Sequence, residues 1–420
     1  MNIWYFHHYG TPYEIPGLHR PFEFGSSFCK EQNKIAVFTS SYLHYSGDNM
    51  NRGGEKYNLK QYDGVDAVFV KTCSYSSKIK RVLNMFGFAW RLFGAAKWFS
   101  KNNWKPDVIV ASSPHPFTML AGLMIAKKMH IPCVCEVRDF WPEVFFLGGV
   151  VKEDSLIGKL LLRGERYIYE KADKLLFLKE GDHTYITDKK WDTQSGGKIP
   201  MTKCAYINNG VDVELFEKRQ QEFIYEDKDL SSGKFNVVYC GTIRPVNNID
   251  MLLDVAKKVP DAQFLIFGTG NCVEALQKRI DEEKIENAVL KGYVQNQYVP
   301  SILNQSSLNI LNYSGSSYNW SRGNSSNKLF EYLASGKPVL STVKMGYDII
   351  EKYNCGYSSE KCSADEIASI IKDVMSMDLS EYEALCNNAK NAAKDFDIPT
   401  LAKKYLEMLE LVVKNYGGAK

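Results

Sequence analysis

The 420-residue sequence has no long apolar run, no secretion-type start and no clustered cysteines. No stretch approaches the ~20 consecutive apolar residues that a membrane-spanning helix needs. The first residues, MNIWYFHHYG, lack a basic segment followed by an apolar one, so we expect no signal peptide. The ten cysteines form no C-x-x-C pair and no zinc-like spacing, which favours buried, reduced thiols over disulfides. We therefore expect a cytoplasmic protein.

The sequence also has no large excess of charge of one sign. The 52 Lys and Arg residues nearly balance 49 Asp and Glu residues, which gives a net charge of +3. This balance does not indicate a nucleic-acid partner. The 45% hydrophobic and 24% charged content is typical of a globular protein, and the length suffices for two domains of about 200 residues each.

Short apolar runs alternate with helical patterns along the whole chain, without a sequence repeat. This alternation predicts an α/β fold with parallel sheets and helices on both faces. The predicted strands are 2–8, 34–40, 66–70, 107–112, 132–137 and 174–178 in the first half, and 235–240, 263–268, 287–292, 307–311 and 337–342 in the second. The polar stretch 218–234 has neither periodicity and is predicted to connect the halves.

We therefore predict two doubly wound, Rossmann-like domains that face a cleft, with residues 1–217 in the first and 218–399 in the second. The amphipathic segment 400–417 is a candidate to pack back on the first domain. Ligands bind such sheets outside the carboxyl ends of the strands, so the loops there are the candidate sites.

The run SSNKLFEYLASGKPVLS, 325–341, predicts a capped helix followed by a short strand. Its first amides, on Asn327, Lys328 and Leu329, would point outward at the positive helix end, and the Lys328 side chain adds a full charge. This arrangement suits an anion. Glu331, one turn later, can accept hydrogen bonds from sugar hydroxyls; alternatively, it only complements the helix dipole.

Two further strand–loop junctions have glycines that allow a ligand close to the backbone. In FNVVYCGTIRPVNNID, Gly241 ends a strand and Arg244 follows in the loop, where it binds a ligand or is simply solvated. In AQFLIFGTGNCVEAL, Gly268 and Gly270 follow a strand, but a lone Gly-x-Gly is a weak signal. Together the three junctions suggest a nucleotide diphosphate at one sheet edge.

These stretches resemble the retaining glycosyltransferases of family 4, which have the GT-B fold, and in particular the WbuB-like branch of bacterial surface-polysaccharide synthesis. The resemblance rests on HHYGTPYEIPGLHRPFEF, KPDVIVASSPHPFTMLAG, IPCVCEVRDFWPE, YINNGVDVELF, YCGTIRPVNNIDMLLDVA, LIFGTG, LKGYV and SSNKLFEYLASGKPVL. These segments follow the family's order over nearly the whole chain.

The resemblance implies a sugar nucleotide on the second domain and an acceptor on the first. In the second, Gly241, Thr242 and Gly268 would line the diphosphate, Asn327 to Leu329 would bind the pyrophosphate, Tyr293 and Val294 would present backbone to the base, and Glu331 would bind the ribose. In the first, the acceptor residues would be Gly17, His115, Arg138, Asp139 and Glu143.

The sequence departs from the family's pattern at two places. The family commonly carries an E-x7-E pair, but the residue eight positions before Glu331 is Gly323. It also commonly has a basic pair where this chain has Thr242 and Asn247. Arg244 and Lys328 could supply the missing positive charge for the leaving phosphate, and we assign both to catalysis. The departures leave recognition of the donor sugar open.

Catalytic candidates in the first half follow two strands. His115, in SSPHPF, could hydrogen-bond the transferring sugar or the acceptor, or it could be a packed or capping histidine. In EVRDFWPE, Arg138, Asp139 and Glu143 lie beside two aromatic residues, a composition that suits a sugar acceptor or a salt-bridged loop. Asp139 is the best candidate for a general base.

A metal is not predicted, and no cofactor is expected. The D-x-D spellings Asp227-x-Asp229 and Asp395-x-Asp397 follow no strand. The basic, aromatic stretch 76–105 is typical of a helix in a membrane interface, although a helix packed on the sheet would have a similar composition.

The sequence thus favours a retaining hexosyl- or N-acetylhexosaminyltransferase that moves a sugar from a nucleotide-diphosphate donor, UDP-linked by preference, to a lipid-linked glycan. Capsule, O-antigen or exopolysaccharide synthesis at the inner face of the cell membrane would be its setting. The alternatives are a sugar-nucleotide epimerase of the same fold and a catalytically silent binding subunit, which the missing first glutamate would suit.

Overall fold

The computed structural model describes residues 1–51, 53–315 and 319–418. Its strands are β1 (Asn2–Phe6), β2 (Lys34–Ser40), β3 (Tyr57–Tyr62), β4 (Val65–Val70), β5 (Val108–Ser112), β6 (Cys133–Val137), β7 (Lys174–Phe177), β8 (Cys204–Tyr206), β9 (Phe235–Cys240), β10 (Ala262–Phe267), β11 (Ala288–Gly292), β12 (Leu308–Leu311), β13 (Val339–Ser341) and β14 (Gly356–Ser358).

The α-helices alternate with these strands. They are α1 (Arg20–Lys30), α2 (Lys78–Asn102), α3 (Pro116–Met129), α4 (Glu143–Leu147), α5 (Leu156–Lys171), α6 (Thr184–Asp188), α7 (Val213–Glu222), α8 (Ile249–Lys258), α9 (Val273–Glu283), α10 (Val299–Asn304), α11 (Asn327–Ala334), α12 (Ile349–Lys352), α13 (Ala364–Met375), α14 (Leu379–Asp395) and α15 (Ile398–Gly418). Side-chain oxygens of Ser77, Ser155, Asp212, Asp348, Ser363 and Asp378 cap the first turns of six of them.

The chain forms two compact units, Met1–Ile207 with Leu401–Lys420, and Asn208–Thr400. The sequence predicted a boundary after residue 217, and the structure places it ten residues earlier, after Ile207. The stretch 218–234 is not a free linker. Asp212 caps α7, and Phe216 on that helix is buried in the second unit's core, so the polar start of the stretch is the exposed side of a packed helix. The C-terminal helix contributes Tyr405 to the first unit, where its ring packs against Phe24 and Phe28.

The first unit contains an eight-stranded sheet in the order β3-β4-β2-β1-β5-β6-β7-β8. Trp4 and Phe6 face the helices α2, α3 and α5 in one continuous core. Tyr5 faces the other side, toward Arg20 of α1 and Tyr405 of α15, because side chains alternate along a strand. Helices therefore cover both faces.

One strand departs from the parallel arrangement. β3 pairs antiparallel with β4 through a tight turn at Asp63 and Gly64, both of which have positive φ (46° and 83°). An Asp-Gly pair between alternating apolar residues is a strong hairpin signal, so the sequence contained this information. The prediction omitted β3 because its own side chains are half exposed and mostly polar.

The second unit contains a six-stranded parallel sheet in the order β11-β10-β9-β12-β13-β14. One face packs against α8 and α13, and the other against α7, α10, α11 and α14. The loops after β9, β10 and β11 lie at the same edge because parallel strands end together. All ten cysteines, each within the described residues, are free thiols.

Candidate active site

The amino end of α11 carries a lysine held between two tyrosine rings. Lys328 Nζ donates to Tyr239 Oη (3.1 Å) and lies 4.8 Å from the Tyr239 ring centre and 5.1 Å from that of Tyr313. When the Asn247 amide is oriented so that its nitrogen donates to Thr242 O (2.7 Å), its oxygen accepts from the same ammonium group at 3.2 Å. Burial lowers the pKa of Lys328 to about 8, although Cys240 and Glu331 oppose the shift. The lysine is therefore mainly charged at neutral pH.

The two glycine loops beside this lysine are bonded to each other. The amide of Gly241 donates to Phe267 O and that of Ile243 to Thr269 O, both at 2.9 Å. A Cβ on Gly268 would lie 1.8 Å from Gly241 O, and one on Gly270 1.9 Å from Ile243 O. The G-T-G sequence is thus required by close backbone packing. Gly241 has its own constraint, since a Cβ there would lie 2.7 Å from Lys328 Cδ.

A tyrosine hydroxyl completes the end of β9. The Tyr332 hydroxyl accepts from Cys240 N (2.9 Å) and donates to Cys240 O (3.2 Å). The neighbouring strand β12 pairs with β9 only up to Val238, so these backbone groups have no partner on the β12 side. Tyr332 therefore fixes α11, and with it Lys328, to the strand that ends in Gly241.

The other predicted donor residues lie around these loops. Thr242, Arg244 and Asn327 are exposed, Glu331 and Val294 are half-buried, and Tyr293 is 70% exposed. The Leu329 amide already donates to Ser326 O at 3.1 Å and its side chain is buried, so its contact with the pyrophosphate stays a prediction. The ends of β10 and β11 are joined by the Gly268 amide, which donates to Gly292 O at 2.7 Å.

The backbone conformation explains why a glycine stands where the E-x7-E pattern has its first glutamate. Gly323 has φ 97° and ψ −167°, a conformation that residues with a Cβ rarely adopt. A glutamate at this position would be strained. The loop that leads into α11 therefore has a backbone conformation at position 323 that favours glycine.

The first unit contains a chain of buried, neutral histidines at the ends of β1 and β5. Asn84 Nδ2 donates to Cys73 O, so Asn84 Oδ1 accepts from His8 Nε2 (2.7 Å). His8 Nδ1 must then accept from His115 Nε2 (3.0 Å), which leaves His115 Nδ1 as an acceptor without a partner among the described residues. Burial lowers the pKa of His115 to about 3 and that of His8 well below its usual range.

The histidine prediction is therefore resolved in part. His115 occupies the N-cap position of α3, but its side chain makes no capping bond, so the capping alternative is wrong. His7, the residue after β1, is also fully buried, and neither of its ring nitrogens has a hydrogen-bond partner within the described part of the chain. In the sequence, His7 and His8 lie at the end of the predicted strand 2–8, and no pattern there indicated a site role for them.

Arg138 and Asp139 follow β6 and are tied to the end of β5. Their amides lie 2.8 and 3.4 Å from Ser113 Oγ, which accepts from them. His115 is two residues from this serine, so the structure brings three of the predicted acceptor residues to one edge. Glu143 begins α4. Gly17 lies in the loop before α1, where a Cβ would meet Thr11 Oγ1 at 2.1 Å.

A buried ion pair supports this edge from the opposite face of the sheet. Glu136 accepts from Arg20 Nε (3.0 Å), Tyr5 Oη (2.6 Å) and Ser112 Oγ (2.7 Å). Burial raises the pKa of Glu136, but Arg20, Arg138 and the hydrogen bonds outweigh it and lower the pKa to about 2. Glu136 is thus a structural anion and not a proton carrier.

The two D-x-D sequences are engaged in local structure. Lys291 Nζ binds Asp227 Oδ1 (2.8 Å) and Asp229 Oδ2 (2.5 Å). Asp395 accepts from the Tyr353 hydroxyl at 2.7 Å, and Asp397 from Val213 N at 3.0 Å. Across residues 1–51, 53–315 and 319–418, no three His, Cys, Asp or Glu side chains are grouped to hold a metal ion.

The basic, aromatic stretch 76–105 contains α2, which is half embedded in the first unit. Phe88 and Phe99 are fully buried in the core, whereas Phe86, Trp90 and Leu83 are more than half exposed. The packed-helix interpretation therefore holds for one side of α2, and the membrane-interface interpretation stays a prediction for its exposed side. None of the helices in the described residues is long and apolar enough to cross a membrane.

Comparisons with known proteins agree with this architecture. Residues 220–395 match the family described as "Glycosyl transferases group 1", and residues 52–194 match the "Glycosyl transferase 4-like domain". TuaH of Bacillus subtilis, named for teichuronic acid biosynthesis, is 28% identical over 188 residues. That match covers 44% of this chain and 44% of TuaH, less than half of the relative's length.

A longer but weaker match is to WbjE of Pseudomonas aeruginosa, named as a glycosyltransferase. It is 20% identical over 311 residues, which are 73% of each chain. The solved structure of Anabaena HepE in complex with UDP has a TM-score of 0.66, with 16% identity over 98% of this chain and 100% of that one. The chain belongs to the family 4 glycosyltransferases and has the GT-B fold.

Proposed function

We propose that this glycosyltransferase moves a sugar from a UDP-linked donor to a lipid-linked glycan, with retention at the anomeric centre. The observation that carries the proposal is the charged Lys328, held at the carboxyl edge of β9 beside Gly241. A bacterial surface polysaccharide is the proposed product class, since TuaH is named for teichuronic acid biosynthesis. UDP is the proposed nucleotide, since HepE has been solved with UDP bound.

In this proposal the donor diphosphate lies over the loop after β9. When the bond between the sugar C1 and the β-phosphate oxygen breaks, negative charge grows on the phosphate. Lys328, the exposed Arg244 and the amino end of α11 would stabilise that charge, which is the main task of a site for phosphate leaving groups. Glu331 would bind the ribose, and the backbone at Tyr293 and Val294 the base.

The acceptor would bind at the edge that carries His115, Arg138 and Asp139. An acceptor hydroxyl forms the new bond to C1 and loses its proton in the same reaction. His115 is fully buried and, with a pKa of about 3, a weak base, so it would support this edge and would not take the proton. Asp139 is the proposed base for that proton.

We also propose that transfer needs no metal ion. Lys328 and Arg244 can neutralise the diphosphate, and the carboxylates of both D-x-D sequences already have protein partners. Turnover should then survive in excess EDTA. A loss of turnover in EDTA that Mg²⁺ or Mn²⁺ restores would contradict this part of the proposal.

The experiment that tests the proposal uses the full chain with a panel of UDP-, GDP- and dTDP-sugars, with and without bacterial membrane lipids. We expect a UDP-sugar to raise the thermal midpoint, and lipid to accelerate UDP release. An epimerase would change the sugar without releasing UDP, and a silent subunit would bind without turnover. Either result would overturn the proposal.

A further inference from the structure

A pocket of about 310 Å³ lies in the first unit, between α3, α5 and the segment that follows β6. This volume is at the lower end of the range typical of small-molecule sites. Leu120, Leu160, Leu161 and Trp141 are among its lining residues, and Asp139 and Glu165 are the only charged ones. The pocket thus begins at a proposed acceptor residue, Asp139, and continues between apolar helices.

Glu165, the second acidic residue that lines the pocket, does not present a charge to a ligand. Glu165 is 5% exposed, and its two oxygens accept from the hydroxyls of Tyr169 (2.8 Å) and Tyr185 (2.6 Å). Burial raises the pKa of this carboxyl to about 7. Both hydrogen bonds come from inside the core, so the pocket wall between the helices is apolar.

The pocket opens on an apolar surface. Three of its lining side chains, Leu120, Leu160 and Tyr167, are 36%, 70% and 52% exposed. Exposed apolar residues continue beyond them on the same helices, with Leu156 88% and Ile157 63% exposed. α3 also contacts α2, whose exposed Phe86 packs edge-on against the pocket residue Phe117 (6.0 Å between ring centres). A surface of this kind marks an interaction site.

The helices that carry this surface hold more cations than acids, although Asp139 lines the pocket and Glu153 and Asp154 directly precede α5. α2 and α3 contain no Asp or Glu at all, but they carry six and two cations respectively. α5 adds four cations, while its acidic residues are the buried Glu165 and Glu170, which is paired with Arg166 at 2.8 Å. An apolar opening among cations is complementary to a hydrocarbon chain that carries an anionic phosphate headgroup.

We propose that the pocket between α3 and α5 holds the first part of the hydrocarbon chain of the lipid-linked acceptor. This inference rests on the proposed function. The chain would enter past Leu160, its phosphate would lie among the cations of α2 and α5, and its saccharide would reach Asp139. The occupant is thus an alkyl or isoprenyl phosphate lipid, not another protein.

Binding can be measured without turnover. Decyl phosphate and geranyl phosphate, below their micellar concentrations, should bind the full chain, and inorganic phosphate should not compete with them. Isothermal calorimetry and the intrinsic fluorescence, to which Trp141 contributes as one of seven tryptophans, report this binding. Comparison of the two probes tells whether the pocket prefers a straight or an isoprenyl chain. If the wild type binds neither, the pocket proposal is overturned.

Variants on α5 locate the site. Leu160→Asp puts a charge at the opening on a residue that is already 70% exposed, and we expect at least tenfold weaker binding of the probes. Leu156→Asp is the matched control, because Leu156 is on the same helix but not in the pocket lining. Equal losses in both variants would point to a general surface effect and contradict the proposal.

A substitution that fills the pocket tests the proposal independently of the α5 surface variants. A Cβ on Gly164, which lines the pocket, meets no atom within 4 Å, so Gly164→Trp should fold and occupy the pocket, while Gly164→Ala leaves it open. Gly164→Trp should raise the KM for a long-chain acceptor at least tenfold, without changing turnover of a methyl-phosphate-linked acceptor. Unchanged KM would contradict the proposal. Probe binding without transfer to any lipid would instead contradict the proposed function.

Discussion

At the scale of single residues, the position of Lys328 could be predicted from the sequence, but the side chains around it could not. The sequence showed a cation at a helix amino end beside a glycine loop, and the structure places it there. The rings of Tyr239 and Tyr313 and the Asn247 amide, which enclose the ammonium group, could not be predicted, because they come from β9, the loop after it and the end of β12. His7, His8 and Asn84 escaped prediction for the same reason.

Replacement of this lysine should separate turnover from stability. Lys328→Met keeps an apolar stem of similar length between the tyrosine rings and removes a cation that is costly to bury. We expect turnover to fall by about 10²–10³, as on loss of one group that stabilises a leaving phosphate. The thermal midpoint at pH 7 should be unchanged or higher. Turnover near the wild-type rate would contradict the assigned role.

The pH dependence of the wild type offers a second readout of this residue. Because the pKa of Lys328 is lowered to about 8, the free enzyme loses the cation as the pH rises through 8. The kcat/KM for the donor should therefore decline above pH 8. The residual activity of Lys328→Met should lack this step, and a step of equal size in both proteins would assign it to another group.

Glu165 should control part of the pH dependence of stability. Burial, with a smaller contribution from Glu143, raises its pKa to about 7, while bonds from Tyr185, Tyr169 and the Trp141 amide oppose the shift. A raised carboxyl pKa stabilises the fold at low pH, and that stability is lost as the pH rises from about 5 to 7. The loss should amount to about 3 kcal/mol.

Glu165→Gln mimics the protonated acid and removes this titration. Urea unfolding of both proteins at pH 5 and pH 8 measures the effect. We expect similar free energies of unfolding at pH 5, and the variant to be more stable at pH 8. Parallel pH profiles for the two proteins would show that Glu165 is ionised in the fold throughout.

At the scale of elements, the periodicity of the sequence identified the buried strands and the edge strand β11 but missed the edge strands β3, β8 and β14. β9 and β10 are mostly apolar and almost completely buried because both faces of the sheet are covered, whereas β3, β8 and β14 are half exposed. The boundary between the units was misplaced because α7 is mostly polar, with only Phe216 buried. Its Asp212 cap was the available signal.

The contact between α11 and β9 should be measurable through one hydroxyl. Tyr332→Phe removes both bonds to the backbone of Cys240 and leaves a buried N–H and C=O without partners. We expect a loss of about 1–3 kcal/mol in the free energy of unfolding. Tyr45→Phe, at a residue 52% exposed, is the control and should change stability little. Equal stability of Tyr332→Phe and wild type would mean that water replaces the hydroxyl.

α2 should bind the protein to anionic membranes. Replacement of Lys78, Lys80, Lys97 and Lys101 by Gln removes exposed cations but keeps Arg81, which donates to the Tyr9 hydroxyl at 3.2 Å. Each cation near an anionic surface contributes about 1 kcal/mol, so co-sedimentation with anionic vesicles should be lost at low salt.

The matched control removes four exposed lysines of the second unit, Lys228, Lys234, Lys284 and Lys361, and so changes the net charge equally. Its co-sedimentation should equal that of wild type. Loss of vesicle binding in both variants would indicate an effect of net charge alone. Vesicle binding retained by the α2 variant would exclude this helix as the membrane contact.

At the scale of the whole molecule, the order of motifs indicated the family, and the alternation of strands and helices indicated two α/β units. The sequence could not show which distant side chains contact each motif. Glu136 pairs with Arg20 across 116 residues, and His115 pairs with His8 across 107. Such long-range pairs follow from sheet order, which a single sequence does not specify.

Mass spectrometry of a lipid product tests the central claim most directly. The full chain, a UDP-sugar that it binds and bacterial membrane lipids are incubated together, with Lys328→Met in parallel. We predict a lipid-linked saccharide heavier by one sugar residue, formed in step with UDP release and strongly reduced in the variant. UDP release without any heavier lipid, or equal product from Lys328→Met, would contradict transfer to a lipid acceptor at this site.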